Sequence, residues 1–284
     1  YASSNADYHP YYELTSQARD MIDAIRATRV QAGALGLVED GRLFLTGYSQ
    51  GGAVVLATQR AIEDMIPADE KLTITAVASS AGAAMIGEMA EQVFAGQPSV
   101  GATGFFPLLI NSYQRSYGNI YDQPTDVFAV PFDAIAQPGR LPGVESYGQL
   151  LASGKLPLAL FDRGDGKPYL VNPAFQRKFN ADSQHPFRRA LERNNLNGWT
   201  PKAPLLLCHG RQDALVTFDN TQTVYADFKA RGSAVRLIDL ETQQGFLMAL
   251  DAASRTGPRA ARYHFVGMPF CQAAARAYFK DIQR

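Results

Sequence analysis

Arg42-Leu-Phe-Leu-Thr-Gly-Tyr-Ser-Gln-Gly-Gly52 decides how the rest of the chain is read. Leu43 to Leu45 is a short apolar run, the pattern of a buried strand. It leads into Gly47-Tyr-Ser-Gln-Gly51, a G-x-S-x-G pentapeptide, and from Ala53 to Ile62 the sequence opens a helix. Strand, tight turn and helix leave the Ser49 hydroxyl at the tip of the turn, where a nucleophile can work. Gly47 and Gly51 are expected because a Cβ at either would strike the neighbouring strand or helix. The pentapeptide alone is a weak signal: with 14 Ser and 24 Gly in 284 residues, about one-tenth of a match arises by chance. The strand before it and the helix after it strengthen the signal.

A serine hydroxyl near neutral pH needs a base to take its proton and a carboxylate to orient that base. In parallel-sheet hydrolases with this turn the chain order is Ser, then acid, then His. Four histidines exist. His9 precedes the serine, His185 falls in a segment of different character, and His209 comes before the acid candidate. His264 follows the last expected strand and precedes the last expected helix, so it is the candidate base. Asp213, three residues after Gly210 at the end of a strand, is the candidate acid. Asp219 is its rival, although a helix N-cap explains Asp219 better. The backbone N–H of Gln50 is the first candidate oxyanion donor. No cofactor and no metal ion enter this scheme.

Other segments extend the same fold. Residues 1–13 read as a loop. Residues 14–33 form an amphipathic helix with Thr15 or Ser16 as N-cap, ended by Gly33 and Gly36. Pro67 is expected to stop the helix after the serine. Leu72 to Ala78 is a second strand, and a helix between the two implies a right-handed parallel unit. Ser79 to Ala83 is then the loop at its catalytic edge. Leu205 to His209 and Ala234 to Asp239 are further strands. Between them lies a helix capped by Asp219 or Asn220 and closed by Arg231-Gly232. Residues 240–262 read as a long loop, and Gln272 to Lys280 as the C-terminal helix.

Between 84 and 203 no core strand is legible. Helical stretches near 84–94, 104–116, 146–153, 173–180 and 186–194 alternate with Pro/Gly loops. The domain organisation expected is a core at 1–83, a helical cap or lid at 84–203, and the returning core at 204–284. The cap holds 15 of the 30 aromatic residues, an enrichment that ordinary packing explains as well as an acyl-binding surface does.

Lys+Arg and Asp+Glu balance at 27 each, which argues against a nucleic-acid partner or a polybasic membrane face. No run of about 18 apolar residues exists to span a membrane. Cys208 and Cys271 could form one disulfide or remain two buried thiols.

The stretch His185 to Asp213, with Asn220 and Gly232 after it, resembles the secretory lipase branch of the α/β-hydrolases. Tyr8-His-Pro-Tyr11 and the spacing from His264 to Cys271 resemble it too. The resemblance spans nearly the whole chain and implies a mostly parallel sheet with a lid. It also implies a secreted serine esterase acting on small, lipid or plant cell-wall esters; separately, the chain is expected to be a monomer. Ser49, Asp213 and His264 match its nucleophile, acid and base. The chain departs from that branch at Thr217, where proline is frequent. It also lacks the strands that precede the serine strand in the family. Because the chain starts at Tyr1 with only 48 residues before Ser49, roughly 100 residues of a larger protein are expected to be missing. The second oxyanion donor is expected among them. Cutinases share Gly-Tyr-Ser-Gln-Gly but lack a cap. A serine peptidase of this fold and a non-catalytic binding protein are the remaining alternatives.

Overall fold

The computed structural model describes residues 9–65, 72–136 and 145–284. The chain divides into two compact units, one of Leu14–Met89 with Asn194–Arg284 and one of Tyr1–Glu13 with Ala90–Arg193.

The first unit holds a four-stranded parallel sheet: β1 (Phe44–Tyr48), β2 (Ala76–Ser80), β3 (Leu205–His209) and β4 (Val235–Asp239), in spatial order 1-2-3-4. Residues of β2 and β3 are buried throughout, as expected of central strands covered on both faces. Helix α1 (Leu14–Gln31) packs on α2 (Gln50–Met65), which follows β1 and packs on β1 and β2. The place expected to end α2, Pro67, lies outside the described residues. Ala76, Ala78 and Leu206 meet Ala275 and Tyr278 of the last helix, Arg259–Ile282, on one face of the sheet. Strand alternation turns Val77, Leu205 and Leu207 to the other face. β1 and β4 are the edges among the described residues.

Helix α3 (Ile86–Phe94) spans the division. The second unit holds α4 (Ala102–Tyr117), α5 (Pro124–Val127), α6 (Tyr147–Ala152), α7 (Pro173–Ala181) and α8 (Pro186–Arg193), and rings from α4, α7 and α8 share an aromatic cluster. Phe94 is its hub: its ring lies 4.1 Å from Phe179 and 5.0 Å from Phe161, and Phe106, Phe175 and Phe187 complete the contact set. Much of the aromatic enrichment of this stretch is therefore packing. Among the described residues its only strand-like pairings are isolated bridges, Phe128 with Val171 and Ala159 with Tyr169.

Several local expectations need correction. Helix α1 starts at Leu14, so Thr15 and Ser16 lie inside it; the Leu14 N–H donates instead to Asn194 Oδ1 at 2.8 Å, 180 residues away. Helix α9 (Phe218–Ala230) has Thr217 at its N-cap, not Asp219 or Asn220. Asn220 acts elsewhere. Its Oδ1 accepts the Met85 N–H at 3.0 Å and ties the end of the β2 segment to α9. The stretch 240–262 is not a loop. It contains α10 (Phe246–Ala253), flanked by short 3-10 turns, and then the start of α11 (Arg259–Ile282). A 3.6-residue period is hard to see in the all-apolar run Phe246-Leu-Met-Ala-Leu250, and Pro269 inside α11 reads as a break in sequence.

Candidate active site

Ser49 has φ of +56°, a left-handed conformation that side chains avoid. The surroundings impose it. The Ser49 N–H donates to the Ser80 carbonyl at 2.9 Å, and its own carbonyl accepts the Gly52 N–H at 2.9 Å as α2 begins. Glycines leave room for the crossing, but not the pair expected. A Cβ on Gly47 would lie 2.1 Å from the Gly51 carbonyl oxygen, whereas a Cβ on Gly51 would meet nothing. The second tight position is Gly52, whose Cβ would lie 2.4 Å from the Ser80 carbonyl oxygen; Gly82, across from it, would strike Ala53. Gln50 follows the serine directly and opens α2.

Asp213 and His264 meet directly. His264 Nδ1 lies 2.6 Å from Asp213 Oδ2, and both side chains are nearly fully buried. The other carboxylate oxygen accepts the N–H groups of Leu215 at 2.9 Å and Val216 at 3.1 Å. Burial alone would raise the Asp213 carboxyl. Hydrogen bonds from His209 and His264, with the attraction of both rings, outweigh it and hold the group well below the usual carboxylate range. Asp213 is thus an anion whose orientation is fixed from both oxygens.

His264 lies within α11, near its start, rather than on a loop ahead of it. Tyr48 places that helix against the serine turn. The Tyr48 ring lies 5.0 Å from the His264 imidazole, and its hydroxyl donates to the His264 carbonyl. Burial, and then the Asp213 charge, push the Tyr48 phenol far above its ordinary pKa, so it remains a donor. Ser49 is the next residue. His264 Nε2 is buried and has no hydrogen-bond partner among the described residues, the Ser49 hydroxyl included. With Nδ1–H held by Asp213, that nitrogen is the acceptor of the neutral ring.

A second set of contacts joins the acid loop to the histidine helix. The Glu241 carboxylate accepts the N–H groups of Arg211 at 3.0 Å and Gln212 at 3.2 Å, and also the Tyr263 hydroxyl. Gly210 is glycine for the same reason: a Cβ there would lie 2.1 Å from the Tyr263 hydroxyl. Cys208 and Cys271 are disulfide-bonded, joining β3 to α11. His264 and Cys271 are seven residues apart and so share one face of that helix.

Of the other histidines, His9 and His185 belong to the second unit, where His185 packs edge-on to Phe175 and Phe179. Asp219 lies in the first turn of α9. His209, set aside as a base on chain order, contacts the candidate acid: its Nε2 lies 3.3 Å from Asp213 Oδ2. Tyr48, Glu241 and Tyr263 were not singled out in sequence either. Only their adjacency to Ser49, Asp239 and His264 hinted at them.

No family model matches the chain. The solved structure of the rice cell wall degrading esterase LipA from Xanthomonas oryzae is similar, with a TM-score of 0.83 and 31% identity over 99% of this chain and 69% of that one. Candida antarctica lipase A shares the fold, with a TM-score of 0.55 to 0.56 in two structures and 14 to 15% identity, over 81% of this chain and 49% of that one. By sequence, lipase 2 of Candida albicans is 25% identical over 213 residues. That match takes in 72% of this chain, which spans 41% of the Candida albicans protein. Among the described residues no helix is long and apolar enough to cross a membrane.

Proposed function

The chain belongs to the esterase and lipase family of the α/β-hydrolase fold, and we propose that it hydrolyses carboxylic esters through an acyl-enzyme on Ser49. One observation carries this reading: the 2.6 Å contact of Asp213 with His264 Nδ1, which leaves the opposite nitrogen as acceptor on a ring 5.0 Å from that of Tyr48, the residue before the strained Ser49. In the proposed mechanism His264 Nε2 takes the Ser49 proton as the hydroxyl oxygen attacks the ester carbonyl. Asp213 stabilises the imidazolium that forms. The Gln50 N–H, at the positive end of α2, donates to the oxyanion. The intermediate collapses, His264 returns the proton to the departing alcohol, and water then cleaves the acyl-enzyme by the same steps in reverse order.

The residues at 84–203 are proposed as the cap of this hydrolase, the part that selects the ester. Their helical makeup and their own aromatic core support that role. A cell-wall ester substrate is proposed from the name of the Xanthomonas oryzae relative and a lipid ester from that of the Candida albicans lipase, with secretion as the setting in which a wall ester is met. The Cys208–Cys271 disulfide suits an oxidising compartment. Turnover of p-nitrophenyl esters of graded acyl length, beside a p-nitroanilide peptide, tests the reaction. Ester turnover that falls by on the order of 10⁴-fold or more in Ser49→Ala is expected. Peptide turnover without ester turnover, or full ester activity in Ser49→Ala, would overturn the proposal.

A further inference from the structure

We infer that His209 is a positioning residue for Asp213, a second imidazole sharing with His264 one oxygen of the carboxylate. The inference rests on the triad reading and adds a residue that chain order excludes from it. His209 ends β3 and is fully buried. Its Nδ1 lies 2.7 Å from Thr221 Oγ1 and its Nε2 lies 3.3 Å from Asp213 Oδ2, the oxygen that His264 Nδ1 meets at 2.6 Å. The Thr221 hydroxyl can settle the tautomer: by donating to Nδ1 it leaves the proton of a neutral ring on Nε2, aimed at the acid. The Phe218 ring packs against the imidazole at 5.6 Å.

A buried His–Thr pair could be simple packing. Its aim argues for more. Each Asp213 oxygen takes two donors, Oδ1 from the loop backbone and Oδ2 from the two imidazoles, so the carboxylate cannot rotate without breaking several bonds. His209 also draws charge from the oxygen that faces His264. Without it, more of that charge would stabilise the His264 imidazolium, and the base would hold its proton to higher pH. The other ionisable groups facing this cluster are Tyr48 from β1, Asp239 of β4, which is the sheet partner of His209 and ion-paired with Arg211, Tyr263 from α11, and Glu241 behind the acid loop. Both phenols are pushed above their ordinary range, chiefly by burial, and stay protonated throughout.

The test compares wild type with His209→Phe, His209→Gln and Thr221→Val in two readouts. One is the His264 titration followed by ring-proton NMR, which needs no turnover. The other is the acid limb of kcat/KM on a soluble p-nitrophenyl ester. In His209→Phe both midpoints should rise by about half a unit to one unit, and plateau kcat/KM should fall roughly tenfold. His209→Gln, which keeps an N–H donor near Nε2, should restore most of both. Thr221→Val should move both midpoints part of the way, and it decides the matter if His209→Phe does not fold. A lower melting temperature with unmoved midpoints would mean that His209 only packs, and would overturn the inference. A wild type that turns over no ester would sink the triad reading instead, while the NMR arm would still decide whether His209 controls the His264 proton.

Discussion

The Tyr48 hydroxyl donates to the main-chain carbonyl of His264, 216 residues further along the chain. The residue before the candidate nucleophile therefore holds the helix that carries the candidate base. Their register depends on one phenol, on the 5.0 Å ring contact beside it, and on Gly267, where a Cβ would lie 2.8 Å from that hydroxyl. Tyr48→Phe keeps the ring and loses the donor. Unfolding free energy should drop by about 1 kcal/mol. In kinetics kcat should suffer more than KM, because proton transfer depends on the helix position. Urea titration and steady-state rates check both; equal losses in kcat and KM would contradict this role.

The strain at Ser49 has a thermodynamic signature. At an ordinary φ, glycine is less stable than alanine by roughly 0.5–1 kcal/mol. At φ of +56° the order should reverse, with Ser49→Gly about 1 kcal/mol more stable than Ser49→Ala. Both variants lack the hydroxyl, so the comparison isolates backbone conformation. Chemical denaturation of the two would settle it, and alanine being the more stable would remove the elbow.

The glycines around the turn should divide by space rather than by their place in the motif. Gly52→Ala forces a Cβ to 2.4 Å from the Ser80 carbonyl oxygen, a backbone atom that cannot swing away. A loss of about 2 kcal/mol or more is expected, with disturbed activity. Gly51→Ala meets open space inside α2 and should stabilise by roughly 0.5–1 kcal/mol. Melting temperatures of the two variants should therefore move in opposite directions.

Asp213 makes stability depend on acid. Its folded pKa lies below the ordinary 3.8, so the unfolded chain takes up the proton first as pH falls. The stabilising contribution is complete above 3.8 and is lost progressively below it. Asp213→Asn should lower stability at neutral pH, and its deficit relative to wild type should narrow as pH drops through 3.8. Urea midpoints from about pH 7 down to about pH 3 would show this; a gap constant with pH would mean the carboxylate is not held as an anion.

How far the sequence could lead depended on whether structure arose locally. Leu205 to His209 is apolar and central, and its bounds are those read from sequence. The serine turn was legible because strand, glycines and helix are contiguous. The cap on α1 was not, since its acceptor is Asn194, brought in from 180 residues away. The helical setting of His264 is hidden in the sequence because Gly257, Pro258, Gly267 and Pro269 look like loop residues. Pro258 in fact sits at the N-cap of α11 and Pro269 lies within it. Glu241 makes contacts that exist only once β3, β4 and α11 are assembled, whereas His209 meets Asp213 four residues on and Thr221 of α9 through the fold of the turn between them, which residue types alone do not show.

The Cys208–Cys271 bridge closes a 63-residue separation between the strand carrying His209 and the helix carrying His264. On the chain-entropy argument a closure of this length stabilises by roughly 4 kcal/mol, with about 2–4 typical of measured bridges. The paired substitution Cys208→Ala with Cys271→Ala should lower unfolding free energy by an amount in that range. It should also loosen the His264 helix enough to reduce ester turnover. Intact stability in the double variant would show that packing alone holds α11 to β3.

The central claim is that Ser49 is the nucleophile and His264 its base, and labelling with a fluorophosphonate tests it most directly. After reaction at neutral pH, intact mass and peptide mapping should show one phosphonyl group per chain, on Ser49. Ser49→Ala should show none, and labelling of His264→Ala should be slower by several orders of magnitude. A folded wild type that takes up no label, or takes it up at a serine other than Ser49, would contradict the account.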